Sequence, residues 1–264
     1  MLKEGDTVRI VEISQRQSKA WIISLVQDAE LSTHIGNIFH NDCLGKNFGD
    51  ILSLTKGKVI ISRPTPRDYL RYFRLKTQIL YEDDCAIACS LAGVGSGMNV
   101  GEAGTGSGAL TVFLAHNVQP TGHVFSYDIN ADYLANAREN LAKTDLSDYI
   151  TFKLQDIRSP LEEGQLDAFF LDFSSPYEAI DNIAPVLNGG GHLICFVPNW
   201  GQVEQTVAQI RQSPYFVHQE TFEITRRNFI VNPDKHVMRP VFRDLVYSGI
   251  LIHAIRVNPN KRDD

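Results

Sequence analysis

The sequence predicts an α/β fold, a parallel sheet covered by helices, with a small β-domain ahead of it. Three observations lead there. From Met98 onward, short runs rich in β-branched and aromatic residues alternate with longer runs of helical pattern. A glycine-rich turn, Gly104-Thr105-Gly106-Ser107-Gly108, closes one such strand and opens a helix. The N-terminal segment shows short strands separated by turn residues instead.

In chain order, Thr7-Val8-Arg9-Ile10-Val11 and Trp21-Ile22-Ile23-Ser24-Leu25-Val26 read as strands, and Gly36, Gly45, Gly49 and Gly57 punctuate the next stretch of chain. Pro64 and Pro66 mark a joint, so the β-domain is expected over residues 1–62 and the larger domain over 63–264. Helices are expected over 66–73 and 83–92. Strands then come near 98–103, 123–128, 150–155, 166–171 and 191–197. Helices fall between or after them at 107–117, 131–143, 176–187 and 200–211. The tail is β-rich over 215–226 and 243–257 with no clear helix between, which predicts an antiparallel pair closing the parallel sheet.

An apolar fraction of 43% over 264 residues builds a sizeable core, and a charged fraction of 21% is ordinary for a globular chain. Only the last residues, Asn258 to Asp264, read as disordered. No apolar run reaches membrane-spanning length, and the start Met1-Leu2-Lys3-Glu4-Gly5-Asp6 lacks the apolar core of a secretory signal. No membrane association and a cytoplasmic location are therefore expected. Cys43, Cys85, Cys89 and Cys195 lack zinc-type spacing, and Cys85 and Cys89, four apart, share a helix face, so ordinary burial is expected. No metal is expected either: His34 and His40 lie six apart without a carboxylate at ligand spacing and suit structural hydrogen bonds.

The net charge of −6 excludes a generally basic nucleic-acid binder, but the charge is unevenly placed. Residues 1–55 carry −2, residues 56–76 carry +6, residues 77–220 carry −13 and residues 221–264 carry +3. A basic block thus precedes an acidic domain whose far end is again basic. Brought onto one face, the two basic segments would attract a polyanion.

Gly104, Gly106 and Gly108 let the backbone turn tightly and approach a ligand, while the helix start presents unpaired N–H groups. The same residues fit the dinucleotide pattern G-x-G-x-x-A, so the loop alone serves either cofactor class, or simply a tight turn. Acids around it separate the classes. Asp128 ends the second strand, where a carboxylate suits ribose hydroxyls, a feature that dinucleotide enzymes share. Asp156 ends the third strand and suits an adenine amino group. Asp172 ends the fourth, and Glu102 precedes the glycines. An adenosine with a cationic methionine tail uses such a set, whereas a pyrophosphate is poorly served by so many carboxylates. The cofactor expected is S-adenosylmethionine. Taken singly, each aspartate also suits a turn or helix cap. Ser175-Pro176-Tyr177-Glu178 is itself a capping box with proline at the first helical position, and it does not require Asp172.

Several longer motifs carry a resemblance. They are Ser32-Thr33-His34-Ile35-Gly36-Asn37-Ile38-Phe39-His40-Asn41-Asp42-Cys43-Leu44-Gly45; Arg63-Pro64-Thr65 followed by Asp68-Tyr69; Gln78-Ile79-Leu80-Tyr81 followed by Asp83; and the full run Glu102 to Gly108. On these, over nearly the whole chain, the sequence resembles the tRNA (adenine-N1)-methyltransferase family that acts on adenine 58 of the T loop. The resemblance implies a Rossmann-like, seven-stranded methyltransferase sheet with a small N-terminal β-domain, usually assembled as a homotetramer. It implies a cofactor site of Gln78, Tyr81, Glu102, Gly104, Thr105, Gly106, Ser107, Gly108, Asp128 and Asp156, with Asp172 as the catalytic-site aspartate that also reaches the cofactor. Two departures stand on the substrate side. The family's D-x-P-x-P-W is Asp172-Phe173-Ser174-Ser175-Pro176-Tyr177 here, and its R-P-x-x-R-M and H-T-G are replaced by Asn232-Pro233-Asp234-Lys235-His236-Val237-Met238 and Tyr247-Ser248-Gly249.

The chemistry implied is undemanding. Adenine N1 is a neutral ring nitrogen with a free lone pair, so no strong base is needed. Asp172 would accept the amino hydrogen and stabilise the charge that develops. Tyr177 would stack on the everted base in place of the family's Trp, or else pack its helix. Arg63, Arg67, Arg71, Arg74 and Lys76 are the tRNA phosphate candidates, or else a solvated basic helix. The β-domain and the apolar tail strand Leu245 to Ile255 offer contact surfaces for a homo-oligomer. Two alternatives stay open: a same-fold methyltransferase acting on a small molecule or protein, and a non-catalytic tRNA-binding subunit, against which the intact glycine loop and Asp128 speak.

Overall fold

Alternating burial on short strands builds the N-terminal unit, which comprises Met1–Arg74 together with Glu139–Asp148. In this computed structural model residues 1–14, 18–242 and 247–258 are described. Strands β1 (Thr7–Glu12), β2 (Ala20–Ser24), β5 (Ile51–Leu54) and β6 (Gly57–Ser62) form an antiparallel sheet in the order β2-β1-β6-β5. Val8 and Ile10 on β1, and Val59 and Ile61 on β6, point to one face and are fully buried with Leu25 and Ile38. A separate hairpin joins β3 (Glu30–Thr33) to β4 (Gly36–Phe39), and a short helix α1 (His40–Cys43) comes next. Both histidines of this unit are structural: the Val26 amide donates to His40 Nδ1 at 3.1 Å, and His34 Nε2 lies 3.4 Å from Glu12 Oε2.

The helix expected over 66–73 is shorter, α2 (Pro66–Leu70). Pro66 starts it, and Asp68 Oδ2 accepts from both the Thr65 amide (3.0 Å) and the Thr65 hydroxyl (2.7 Å). The other Asp68 oxygen lies 3.1 Å from Arg9 Nε.

The larger unit comprises Leu75–Arg138 and Tyr149–Asp264. It contains α3 (Glu82–Leu91), β7 (Asn99–Ala103), α4 (Ala109–Val118), β8 (His123–Asp128), most of α5 (Ala131–Leu141), β9 (Ile150–Leu154), β10 (Leu166–Leu171), α6 (Ile180–Ile183), β11 (Leu187–Val197), α7 (Trp200–Gln212), β12 (Phe216–Phe222), β13 (Phe229–Asn232), β14 (Val237–Pro240) and β15 (Ile250–Arg256). Seven strands form one sheet in the order β12-β15-β11-β10-β7-β8-β9. From β11 to β9 the neighbours are parallel, and β15 runs antiparallel to both β11 and β12. The expected Rossmann-like sheet with a closing antiparallel pair is present. Strands β7 and β10 are buried at all but one position each, as central strands of a sheet covered on both faces are.

This order places the site. The chain moves outward from β7 to β8 and β9, then returns to β10 on the other side of β7. The crevice at the carboxyl ends of β7 and β10 is thus the topological switch point, where such sheets bind ligands.

Two expectations need correction. The helix read over 176–187 is a single 3-10 turn at Pro176–Glu178, then α6, and β11 already begins at Leu187. Pro185 cannot continue a helix, which shortens it. The tail strand offered as a contact surface is interior: Ile250, Leu251, Ile252 and Ala254 are buried within the sheet, while residues 243–246 lie outside the described residues. The stretch between the two tail strands, where no clear helix is expected, holds a hairpin, β13–β14. Among the described residues no helix is long and apolar enough to cross a membrane. All four cysteines are buried and unpaired, as ordinary core residues are.

Candidate functional site

The turn after β7 is held by backbone it cannot move. The amides of Gly104 and Thr105 both donate to the Tyr127 carbonyl, at 3.0 and 3.2 Å, and the Asp172 amide donates to the Ala103 carbonyl at 2.9 Å. Gly104 has φ +92°, and a Cβ there would lie 1.9 Å from the Asp172 carbonyl oxygen. Only glycine fits between the ends of β7 and β10. Gly106, at φ +54°, donates its amide to Asp128 Oδ2 at 3.0 Å. Ser107 Oγ accepts the Lys76 amide at 3.0 Å, which brings Thr77 and Gln78 over the loop.

Beneath the loop lies a buried carboxylate. Glu102 Oε2 accepts from the hydroxyls of Thr111 and Ser126, each at 2.7 Å, and Ser126 in turn shares a 2.7 Å hydrogen bond with Thr105. Burial pushes the Glu102 carboxyl up to about 7, against those two hydrogen bonds. Asp172 is pushed up to about 8, first by burial and then by repulsion from Glu102, Asp128 and Asp84. Among the described residues no Lys or Arg lines this group of carboxyls, and its electrostatics favour positive over negative charge.

Two adjoining cavities open there. One, of about 200 Å³, is lined by residues 77–80, Glu102, Gly104 to Ser107, Leu110, Asp128, Tyr133, Asp172 and Phe173. The other, of about 160 Å³, is lined by Ala103, Gly104, Tyr127 to Ile129, Gln155 to Arg158 and Phe173 to Ser175. They share Gly104, Asp128 and Phe173. Asp156 sits in the second cavity with both oxygens engaged by Arg158, whose Nε lies 3.0 Å from each and whose Nη2 lies 2.7 Å from Oδ2. Those hydrogen bonds hold the Asp156 carboxyl below its ordinary range. Arg158 Nη1 also reaches Glu178 Oε2 at 3.1 Å, as does the Ser175 hydroxyl.

Most of the expected cofactor residues therefore come together: Gln78, Glu102, Gly104, Thr105, Gly106, Ser107, Asp128 and Asp172 around one cavity, and Asp156 in its neighbour. Gly108 caps α4 in the left-handed region, one turn behind. Tyr81 lines a third cavity with Asp83, Asp84, Arg226 and Ser248, and its hydroxyl accepts from Gln78 Nε2 at 3.3 Å. Tyr177 and Phe173 both pack against the sheet core, and Phe173 also borders both cavities. Thr77, Leu110, Tyr133, Phe173 and Arg158 are site residues that sequence reasoning missed. Arg158 had a usable signal, a cation two residues after the strand-end Asp156. Of the basic block, Arg63, Arg67, Arg71 and Arg74 are exposed on the N-terminal unit, with Arg63 5.0 Å above the Phe48 ring. Lys76 belongs to the larger unit, its Nζ 3.4 Å from the Asp132 carbonyl.

Known proteins share this architecture. The chain is 27% identical over 242 residues to the tRNA (adenine(58)-N(1))-methyltransferase TrmI of Thermus thermophilus, covering 91% of this chain and 94% of that protein. It is 30% identical over 227 residues to the tRNA (adenine(57)-N(1)/adenine(58)-N(1))-methyltransferase TrmI of Methanocaldococcus jannaschii, covering 76% and 79%. A solved structure described as a SAM-dependent O-methyltransferase from Thermotoga maritima superposes with a TM-score of 0.81 at 29% identity, covering 100% of this chain and 96% of that one. The family model described as the tRNA methyltransferase complex GCD14 subunit matches residues 57–246, a span that holds the glycine loop, Asp128, Asp156 and Asp172, and the chain belongs to that family.

Proposed function

We propose that this chain transfers the methyl group of S-adenosylmethionine to N1 of adenine 58 in the T loop of tRNA. The observation that carries the reading is the acidic trough at the switch point, from Asp156 past Asp128 and the glycine loop to Glu102 and Asp172, in a chain of this family. The donor set fits the cofactor. In this reading Asp156 takes the adenine amino group, Asp128 the ribose, and the carboxylates of Glu102 and Asp172 the cationic tail. When bound, S-adenosylmethionine supplies a methyl group already activated on a sulfonium.

The chain's own residues then orient and stabilise. In this reading Asp172, which lines the first cavity, accepts with its carboxylate the amino hydrogen of the target adenine. It thereby turns N1 toward the donor and offsets the positive charge that grows on the purine. Its raised pKa would leave it protonated at neutral pH in the free protein. A cation seated beside it favours the ionised form, so cofactor binding prepares the carboxylate for the adenine. Thr77, bonded to Ser107, and its neighbour Gln78 line the trough beside the glycine loop.

The exposed arginines of residues 63–74 and Lys76 hold tRNA phosphates, with the N-terminal unit as RNA-binding domain. The chain assembles into a homo-oligomer, a tetramer. Support comes from the β13–β14 hairpin, which leaves Phe229, Val231 and Met238 exposed outside the main sheet, a surface suited to a second copy. Four buried free thiols fit a reducing, cytoplasmic setting.

Incubation of the protein with unmodified tRNA and labelled cofactor, followed by nucleoside analysis, tests the reading. The expected product is 1-methyladenosine at position 58. The same map shows whether position 57 is also modified. Methylation of small-molecule or protein acceptors with no label in tRNA would overturn it.

A further inference from the structure

The N-terminal unit carries a cavity of its own, of about 450 Å³, which the methyl-transfer chemistry does not use. That volume is in the range of small-molecule pockets, about 300–1,000 Å³. Its lining is unusual for a small β-unit: Tyr69, Tyr72 and Phe73 contribute aromatic rings, Ile22 an aliphatic wall, and Lys143 a cation. Tyr69 and Phe73 are buried, but Tyr72 remains 39% exposed. The Tyr72 ring is pinned by its edge, since its hydroxyl donates to the Ala20 carbonyl at 2.5 Å. The Tyr69 hydroxyl donates to Asp145 Oδ1 at 3.2 Å, so that acid is engaged.

Charge around the cavity is mainly positive. Burial raises the Tyr72 phenol, while Arg71 and Arg9 lie near enough to oppose that shift and Asp68 adds to it. Asp68 is itself paired with Arg9 at 3.1 Å. Lys143 and Arg71 are exposed at the rim. An ordered aromatic ring open to solvent, with cations beside it, is the arrangement by which proteins hold unpaired nucleotides: the base stacks and the phosphate meets the cation. A pinned ring loses little entropy in doing so.

We propose that this cavity binds one unpaired nucleotide of tRNA, its base stacked on Tyr72 and the adjoining phosphate paired with Lys143. The proposal rests on the tRNA reading above and assigns that reading a second anchoring point, on the N-terminal unit.

The test uses the full-length protein and an unmodified tRNA transcript, with filter binding across a salt series. Tyr72→Ala should weaken binding about tenfold, the scale of one base–aromatic stack, with a salt slope parallel to wild type. Tyr72→Phe keeps the ring and should stay within about twofold. Lys143→Ala should weaken binding and reduce the salt slope by about one phosphate contact. Because Lys143 is exposed, that variant decides the matter even if Tyr72→Ala folds poorly. Wild-type affinity in both Tyr72→Ala and Lys143→Ala would overturn the proposal. So would equal losses in Tyr72→Ala and Tyr72→Phe, or a changed sedimentation coefficient in Tyr72→Ala, which would assign the cavity to protein contacts. If wild type methylates tRNA while these variants bind normally, the cavity proposal alone fails. If wild type neither binds nor methylates tRNA, the functional reading fails and takes the cavity proposal with it.

Discussion

Gly106 and Asp128 are joined by a hydrogen bond of 3.0 Å from the loop amide to the strand-end carboxylate. The second Asp128 oxygen accepts from the Asn130 amide at 2.9 Å. The aspartate assigned to the cofactor ribose thus also fixes the glycine loop and the start of α5. Asp128→Asn can keep one of these acceptors, and Asp128→Ala keeps neither. Calorimetry with S-adenosylhomocysteine should show a larger loss of affinity for Asp128→Ala than for Asp128→Asn. Each lost charge-assisted bond corresponds to about 1.5–3 kcal/mol. Equal affinities for the two variants would remove the loop-holding role.

Gly106→Val should abolish cofactor binding while leaving a folded protein. The position is left-handed, and a Cβ would lie 2.8 Å from Thr77 Oγ1, so a β-branched residue pushes out the segment that lines the trough beside the loop. Circular dichroism would establish the fold and calorimetry the loss. Near-normal affinity in the folded variant would contradict the loop assignment. Gly104→Ala is a different case, because its Cβ meets backbone, and a lowered Tm is expected there.

The raised carboxyls set a pH dependence. Glu102 titrates at about 7 and Asp172 at about 8 in the folded chain, whereas unfolded carboxylates titrate near 4. Folded pKa values above the unfolded ones mean that the folded state binds these protons more tightly. Their stabilising contribution is whole below about pH 4 and is lost as pH rises through 7 and 8. The Tm of the free protein should therefore fall between pH 5 and 8.5 more steeply in wild type than in Glu102→Gln. Affinity for a cationic cofactor should rise over the same window, since binding favours ionisation. Thermal scans and calorimetry at matched ionic strength measure both, and identical pH slopes in wild type and Glu102→Gln would contradict this assignment.

Binding of tRNA should weaken steeply with salt, and Arg71→Ala combined with Arg74→Ala should flatten that dependence. The cause is release of counterions at phosphate contacts, with a slope of roughly 0.7–0.9 per contact. A salt slope equal to wild type would leave these residues as a solvated basic face.

Much of this was legible in the sequence because the relevant signals are local. β8 ends in Asp128, the mostly apolar β10 is followed by Asp172, β7 carries Glu102 just before its end, and the glycines between β7 and α4 mark a turn that only their backbone can make. What was illegible depends on distant partners. Residues 139–148 join the N-terminal unit through contacts such as Tyr69 with Asp145 and Arg74 with Asn140, which no local pattern announces. The two aromatics after Asp172, Phe173 and Tyr177, differ for a similar reason: both pack against the sheet core, and only the fold shows that Phe173 also borders the two cavities. The occupation of Asp156 by Arg158 depends on side-chain direction at a turn; the Ser175 hydroxyl turns to the Glu178 carboxylate instead of capping a backbone amide, and Pro185 ends α6.

In the proposed reaction the strand-end carboxylate of Asp172 faces the reacting adenine. Single-turnover methylation of unmodified tRNA, at saturating tRNA and cofactor, tests it most directly. The contact is made mainly as charge develops on the purine, so its loss lowers the rate more than it lowers substrate affinity. Asp172→Ala should bind tRNA as wild type does and form 1-methyladenosine slower by on the order of 100-fold or more. A rate within a few-fold of wild type under those conditions would contradict the account and leave Asp172 as the residue that ends β10.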